Sequence, residues 1–271
     1  LLRCRSPAVR APPVLARVPA DGQRGLVHVT LNGQDYADCS APLIAYDQPA
    51  VHVSRLVPSG GVLQGGTSVV LHGSDFLDHG VHCRFGDELV RATLLNSTAL
   101  RCTKPARDAA MAELVEVTLN ADTGANSLTS DSVLFHYYGS AGVQISAVEP
   151  LGGPSEGGTL VVVHGAGFAD RGGVYCRFSA YSADAERVVP ATLHSSERLA
   201  CTSPAADAGT AALALTLNAD LGAFLISNVS FAFYDAASLC ASSVSPPAVP
   251  AGGGSLLNVL RSGFARLGRV S

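Results

Sequence analysis

Polar and apolar residues alternate in several short stretches of the chain, as they do in β-strands with one buried face. Gly and Pro clusters separate these stretches, and no segment keeps the i, i+3, i+4 apolar spacing over the roughly 10 to 12 residues that a helix needs. The pattern therefore predicts an all-β fold. The clearest inward-facing sets are Thr67, Val69 and Leu71; Val115, Val117 and Leu119; and Val229, Phe231 and Phe233.

The same sequence blocks recur along the chain at the spacing of a whole domain. Cys4, Cys102 and Cys201 stand in matching L-x-C-x-x-P blocks, 98 and 99 residues apart. This period exceeds the roughly 20 to 50 residues of solenoid repeats, so each repeat is expected to close its own core. Several short strands within one such period predict an antiparallel β-sandwich. The other recurring blocks start at Ser54, Ser146 and, more loosely, Ser242, and at Val27, Val115 and Leu213.

The repeats divide the 271 residues into two complete domains and two partial ones. Residues 1–50 are expected to be the C-terminal part of one domain, and residues 51–141 and 142–238 two whole domains. Residues 239–271 then form the N-terminal part of a further domain. With Leu1 as its first residue, the chain is expected to be a fragment of a longer array. Short linkers should hold neighbouring repeats close without merging their cores.

The order of motifs within a repeat resembles the IPT/TIG domain. Each complete repeat carries P-x-x-G-x-x-x-G-G-T, with Leu56 or Val148 two residues before the proline, then C-R-F, then L-x-C-x-x-P, then a strand ending in T-L-N and an aromatic last strand. The resemblance implies tandem immunoglobulin-like β-sandwiches of the early-set type. The Gly pairs at 65–66 and 157–158 precede a strand, which predicts a bend with positive φ and not a phosphate-binding loop.

Four cysteines occupy equivalent places in the two complete repeats. Cys83 matches Cys176 in C-R-F, and Cys102 matches Cys201 in L-x-C-x-x-P. The resemblance implies one disulfide in each repeat, Cys83 with Cys102 and Cys176 with Cys201, and a cell-surface location. The alternative is that all four are buried thiols in a reducing compartment. The residues themselves leave both possibilities open.

Two N-x-S/T sequons, at Asn96 and Asn228, are candidates for N-linked glycosylation. Asn96 is the stronger candidate because it precedes the L-R-C-T block in a predicted loop. Asn228 borders the last predicted strand, where a glycan could collide with the sheet.

Other chemistry has little support in the sequence. The chain has 15% charged residues, a net charge of −4 and Lys104 as its one lysine, which argues against nucleic acid as a partner. It has no run of 18 apolar residues, so we predict no direct membrane insertion by this segment. No serine, histidine or carboxylate arrangement typical of an enzyme occurs, and no cofactor is predicted.

Two groups of residues have side chains that can bind a metal ion, but neither group predicts a metal site. His72, His79, His82 and Cys83 lie close in sequence, but Arg171 and Tyr175 replace His79 and His82 in the second repeat. The recurring Asn-Ala-Asp triplets at 120–122 and 218–220 offer two oxygen-bearing side chains each, whereas calcium takes about six to eight oxygens. These triplets therefore predict Asx turns.

The sequence thus favours a non-catalytic structural and protein-interaction segment, a spacer and binding array, of a large cell-surface or extracellular protein. Its partners would be other proteins or neighbouring copies in an assembly, with N-linked glycan as a possible addition. The alternative is an intracellular scaffold in a cytoskeletal or ciliary assembly, with reduced cysteines and no glycan.

Overall fold

The structure, a computed structural model, describes residues 23–30, 36–124, 126–139, 141–180, 186–239 and 241–260, with the side chains of residues 23–30, 36–45 and 180 left out. Apart from one 3-10 turn at Gln48–Ala50, the regular structure of these residues is β, which confirms the all-β prediction.

The described part of the chain contains twenty-one strands. The strands up to the end of the first complete repeat are β1 Gln23–Thr30, β2 Tyr36–Ala45, β3 His52–Val57, β4 Gly60–Val62, β5 Ser68–Ser74, β6 His82–Phe85, β7 Glu88–Arg91, β8 Thr93–Asn96, β9 Ala99–Thr103, β10 Met111–Thr118 and β11 Leu134–Tyr138. The remaining strands are β12 Gln144–Glu149, β13 Gly152–Pro154, β14 Leu160–Ala166, β15 Tyr175–Ala180, β16 Glu186–Ser195, β17 Arg198–Thr202, β18 Gly209–Thr216, β19 Leu225–Tyr234, β20 Ser243–Ser245 and β21 Asn258–Leu260.

The two complete repeats have the same strand order. In the first repeat, the sheets are β3-β5-β9-β8 and β4-β11-β10-β6-β7. In the second, the order β12-β14-β17-β16-β15-β18-β19-β13 is continuous, because β16 pairs with β17 at one end and with β15 at the other. Two antiparallel layers with a short parallel strand (β4 or β13) beside the last strand form the immunoglobulin-like sandwich that the resemblance implies.

The predicted alternation of buried and exposed residues fits the strands. In β5, Val69 and Leu71 are buried while Ser68 is exposed, and in β10 Val115 and Val117 are buried. Thr118 is an exception, since it was predicted to face outward but is fully buried. Its hydroxyl donates a hydrogen bond to the side-chain oxygen of Asn120 (2.8 Å), which satisfies the buried polar group.

Each glycine pair turns the chain as predicted. Gly65 and Gly66 have φ of +84° and +83°, and Gly157 and Gly158 have +81° and +84°. A side chain at Gly65 would also meet the Ala106 backbone nitrogen at 2.9 Å. The position therefore requires glycine both for its conformation and for the close passage of another chain segment.

Aromatic rings fill the centre of each sandwich. Phe85 and Phe135 meet edge to face in the first repeat, with ring centres 5.7 Å apart. In the second repeat Phe178 packs against Phe231 at 5.6 Å, and Phe231 packs against Phe233 at 5.0 Å. These edge-to-face contacts place the last-strand aromatics predicted from sequence in the core.

The compact units of the structure differ from the sequence repeats in one respect. The first unit contains the described residues up to Val57, Gln64–Ala106 and Ala112–Phe135. The second contains Pro58–Leu63, Arg107–Met111 and the chain from His136 onward.

Accordingly, the core cluster of the second unit holds Val62 and Tyr138 together with side chains from Val143 to Phe233. The cluster otherwise consists of residues of the second repeat. Val62 and Tyr138, apolar ends of the first repeat, gain burial in the second unit.

Candidate functional site

The cysteine pairs connect the two layers of each sandwich. The structure joins Cys83 of β6 to Cys102 of β9, and Cys176 of β15 to Cys201 of β17, with sequence separations of 19 and 25 residues. All four cysteines are buried. Cys4 and Cys240 lie outside the described residues, as does the side chain of Cys39.

Both sequon asparagines are exposed. Asn96 ends β8, and its side-chain oxygen accepts hydrogen bonds from the backbone nitrogen and the hydroxyl of Thr98, each at 2.8 Å. Asn228 lies within β19 and not in a loop. Asn96 therefore ends a strand where a loop was expected, and Asn228 lies inside the last strand and not at its border.

The Asn-Ala-Asp triplets form the Asx turns expected of them. The side-chain oxygen of Asn120 accepts hydrogen bonds from the Thr118 hydroxyl (2.8 Å) and the Asp122 backbone nitrogen (3.0 Å). In the second repeat the side-chain oxygen of Asn218 accepts from Thr216 (2.8 Å) and Asp220 (3.2 Å).

The middle residue of each triplet has positive φ, +60° at Ala121 and +57° at Ala219. The two loops thus share the same Asx hydrogen bonds and the same positive φ at the middle residue.

The two asparagines differ in what their amide groups meet. Asn218 is buried, and its side-chain nitrogen donates a hydrogen bond to the backbone oxygen of Gly60 at 3.1 Å. Nearby in the same unit, the Ser59 backbone nitrogen donates to the backbone oxygen of Arg171 at 2.6 Å. Asn120 is exposed, and its amide nitrogen has no acceptor among the described residues.

A tyrosine at the end of the last strand completes this arrangement. Tyr138 is buried, and its hydroxyl lies beside the Thr216 side chain and the Leu217 backbone without reaching good hydrogen-bond geometry. Burial raises the pKa of Tyr138 to about 12, with a smaller contribution from the negative charge of Asp220.

Tyr46 holds the corresponding place before the first complete repeat, five residues ahead of Val51 as Tyr138 is ahead of Val143. Burial and then the Asp122 carboxylate raise the pKa of Tyr46 above its ordinary value. Tyr46 and Tyr138 therefore both lie near the aspartate of an Asn-Ala-Asp loop.

The sequence predicted the Asx turns, but it did not predict that Gly60, Arg171 and Tyr138 lie beside the loop that contains Asn218. The sequence signals were the tyrosine at the same place in every repeat, at 46, 138 and 234, and the Gly pairs at 60–61 and 152–153. Neither of these sequence features predicts which segment of the chain contacts the triplet.

The histidines that stand near Cys83 in sequence show no metal-site geometry. Cys83 is in a disulfide, and His82 directs its Nδ1 to the backbone oxygen of Gly80 at 2.7 Å. Within the described ranges, no group of three or more His, Cys, Asp or Glu residues could hold a metal ion. In that part of the chain no helix is long and apolar enough to cross a membrane.

Comparison with known proteins identifies the repeated domain. The IPT/TIG domain family matches residues 52–137 and 144–233, once for each complete repeat. The sequence matches no curated protein.

Two structures of the plexin A4 full extracellular region show a similar fold. The form with domains 1 to 8 is 17% identical, with a TM-score of 0.50 over 76% of this chain and 20% of that chain. The form with domains 1 to 10 is also 17% identical, with a TM-score of 0.52 over 76% of this chain and 18% of that chain. This chain thus spans about a fifth of the plexin A4 chains it resembles.

Tandem domains of this kind fit a non-catalytic role in protein interaction. The strand order, the repeated motifs and the two family matches agree in every repeat described in full. The chain belongs to the IPT/TIG domain family.

Proposed function

We propose that this chain is a non-catalytic spacer and binding array within a large cell-surface or extracellular protein. It would comprise the end of one IPT/TIG domain (residues 1–50), two complete domains (51–141 and 142–238) and the start of a further one (239–271). Its partners would be other proteins or neighbouring copies in an assembly.

The observation that carries this proposal is the disulfide between the layers of both complete sandwiches. Disulfides persist in oxidising surroundings and are rare in the cytosol. Two equivalent pairs, in equivalent strands, favour a repeated structural bond over a chance proximity of thiols. The alternative of an intracellular scaffold would require all four cysteines to be reduced.

Exposed apolar side chains supply contact area for a protein partner. Leu221 and Ile226 of the second unit are 56% and 77% exposed, and Leu160 is 63% exposed.

The proposal includes N-linked glycan at Asn96 and, less favourably, at Asn228. Asn96 is exposed at the end of a strand, before a turn, where a sugar chain can extend into solvent. Asn228 is exposed on strand β19, where an attached glycan would cover neighbouring strand surface.

The test is the thiol and glycan state of the protein recovered from its own cells. Alkylation without reduction, followed by intact mass measurement, should leave Cys83, Cys102, Cys176 and Cys201 unmodified, and glycosidase treatment should reduce the mass. The Thr98→Ala variant keeps Asn96 but removes its sequon, so it should lose the Asn96 share of the glycan. Alkylation of all four cysteines together with an unchanged mass would instead favour the intracellular scaffold.

A further inference from the structure

The arginine of the C-R-F motif has an acidic partner in the first repeat. Arg84 of β6 stands opposite Glu116 of β10, and its Nε donates to Oε2 of that carboxylate at 2.9 Å. The Nη2 of Arg84 donates to the same oxygen. The carboxylate therefore satisfies one whole edge of the guanidinium within the sheet.

The second repeat keeps the arginine but has no acid at the equivalent position. Arg177 of β15 stands opposite Ala214 of β18, the counterpart of Glu116. Its Nη1 donates to the 59% exposed Glu186 at 3.0 Å, but its Nε is buried and has no hydrogen-bond partner among the described residues. Because a buried donor without an acceptor is unfavourable, Arg177 has more to gain from an added carboxylate than an exposed arginine has.

An aromatic ring contacts Arg177 in place of the missing acid. The guanidinium carbon of Arg177 lies 4.3 Å from the centre of the Phe224 ring. The residue at the same spacing from the triplet asparagine in the first repeat is Asn126, which has no ring. Stacking uses the face of a guanidinium, whereas a carboxylate binds in its plane, so the two contacts are compatible.

An exposed apolar side chain lies on the same face of the sheet. Ile226 of β19 stands opposite Ala214, which stands opposite Arg177, so Ile226 and Arg177 point to the same side, about 10 Å apart. Ile226 is 77% exposed, whereas its counterpart Leu128 is half-buried. The second repeat thus presents an arginine and an apolar side chain together, where the first repeat presents a closed ion pair.

We propose that this outer face of the second repeat, marked by Arg177 and Ile226, is a docking site for an extended segment of a partner protein. The segment carries an Asp or Glu and an apolar residue on one side. Its carboxylate binds Arg177 as Glu116 binds Arg84, after the guanidinium turns its Nε edge toward solvent, and its apolar side chain covers Ile226. The inference rests on the proposed function in taking other proteins as the partners of this chain.

A peptide with the sequence of β10 is a suitable probe, because Leu114 and Glu116 lie on one side of that strand. The probe is the tetrapeptide Leu-Val-Glu-Val, acetylated and amidated so that the glutamate is its one charge, and Leu-Val-Gln-Val is its neutral control. Nitrogen-15 NMR of the full chain follows the Nε–H signals of Arg177 and Arg84. We expect a saturable shift at Arg177, a Kd about tenfold lower for the Glu peptide than for the Gln peptide, and no shift at Arg84.

A matched pair of variants tests whether the position opposite Arg177 is the binding position. Ala214→Glu supplies the acid that the first repeat has, so it should weaken binding of the Glu peptide by about tenfold or more. Thr210→Glu adds the same charge to the exposed end of the same strand and should change the Kd less than about twofold. Ile226→Ser should weaken binding of both peptides by about fivefold, because it removes the apolar contact.

Several results would overturn the proposal: no saturable shift at Arg177, equal affinity for the two peptides, an equal shift at Arg84, or unchanged binding in Ala214→Glu. If Ala214→Glu does not fold, Arg177→Gln replaces it. Binding of the Glu peptide to Arg177→Gln, followed on the backbone amides of β15, should then fall to the level of the Gln peptide, and undiminished binding would overturn the proposal.

The outcome is separable from that of the proposed function. Free thiols in the native protein would remove the extracellular setting and leave peptide binding unaffected. Conversely, a failed peptide test would leave the disulfides and glycans as they are.

Discussion

The Tyr138 hydroxyl is buried in surroundings that disfavour its charged form. It lies beside Thr216 and Leu217, and the carboxylate of Asp220 adds a negative charge nearby. Arg171 acts in the opposite direction, but burial dominates, so the pKa rises to about 12. Deprotonation of Tyr138 should therefore weaken the folded state more than the unfolded chain.

This coupling predicts a loss of stability at alkaline pH. The folded-state pKa of about 12 lies above the ordinary value of 10.0, so the folded protein holds the proton more tightly. Stability from this group is complete below pH 10 and falls as the pH rises toward 12. At pH 11 the loss should be about 1 kcal/mol.

Urea unfolding of the wild type and the Tyr138→Phe variant, at pH 8 and pH 11, measures this loss. The variant cannot ionise at this position, so its free energy of unfolding should fall by about 1 kcal/mol less than that of the wild type. Equal losses in the two proteins would show that Tyr138 is not buried as described.

Individual side chains were the least predictable part from sequence. The alternation of apolar and polar residues correctly predicted that Val69 and Leu71 are buried, because successive side chains of a strand point to opposite faces of the sheet. It failed at Thr118, and nothing in the pattern indicated that Lys104, the one lysine, is only 1% exposed. Both side chains make hydrogen bonds, and the local alternation of residues contains no information on these bonds.

The two repeats use different strands to connect the same layers. In the first, β7 pairs with β6 and β8 pairs with β9, with buried Ala92 between them. In the second, β16 alone makes both pairings through 10 residues. Sequence reasoning predicted the sandwich from strand number and turns, but it could not predict this difference, because pairing partners depend on tertiary contacts.

The disulfide of each repeat is expected to contribute measurably to stability. Closing a loop of 19 or 25 residues restricts the unfolded chain, which is worth about 3 kcal/mol in the chain-entropy account. We expect the double variant Cys176→Ala and Cys201→Ala to lose about this amount in urea unfolding of the second unit.

The equivalent double variant Cys83→Ala and Cys102→Ala is the matched control. It should weaken the first unit by a similar amount and leave the second unit nearly unchanged. A loss below about 1 kcal/mol in both variants would contradict a structural role for the disulfides.

Along the whole chain, repetition predicted the family but not the compact units. The motif spacing gave domain-sized repeats, and both family matches fall within the predicted complete domains. The second unit nevertheless includes Pro58–Leu63 from the first repeat. Repeat spacing records how a sequence was duplicated, whereas burial decides which segments pack together, and the apolar Val62 is buried in the second unit.

Val62→Ala tests this assignment. Val62 is 5% exposed and belongs to the core cluster of the second unit, so removing its two methyl groups should destabilise that unit by about 2 kcal/mol. Exchange of the slowest backbone amides in β14 and β18 measures the change. Pro154 occupies the matching place in β13 but is only half-buried, so Pro154→Ala should have a smaller effect. Faster exchange confined to β5 and β9 after Val62→Ala would assign this side chain to the first unit, and would show that each repeat closes its own core.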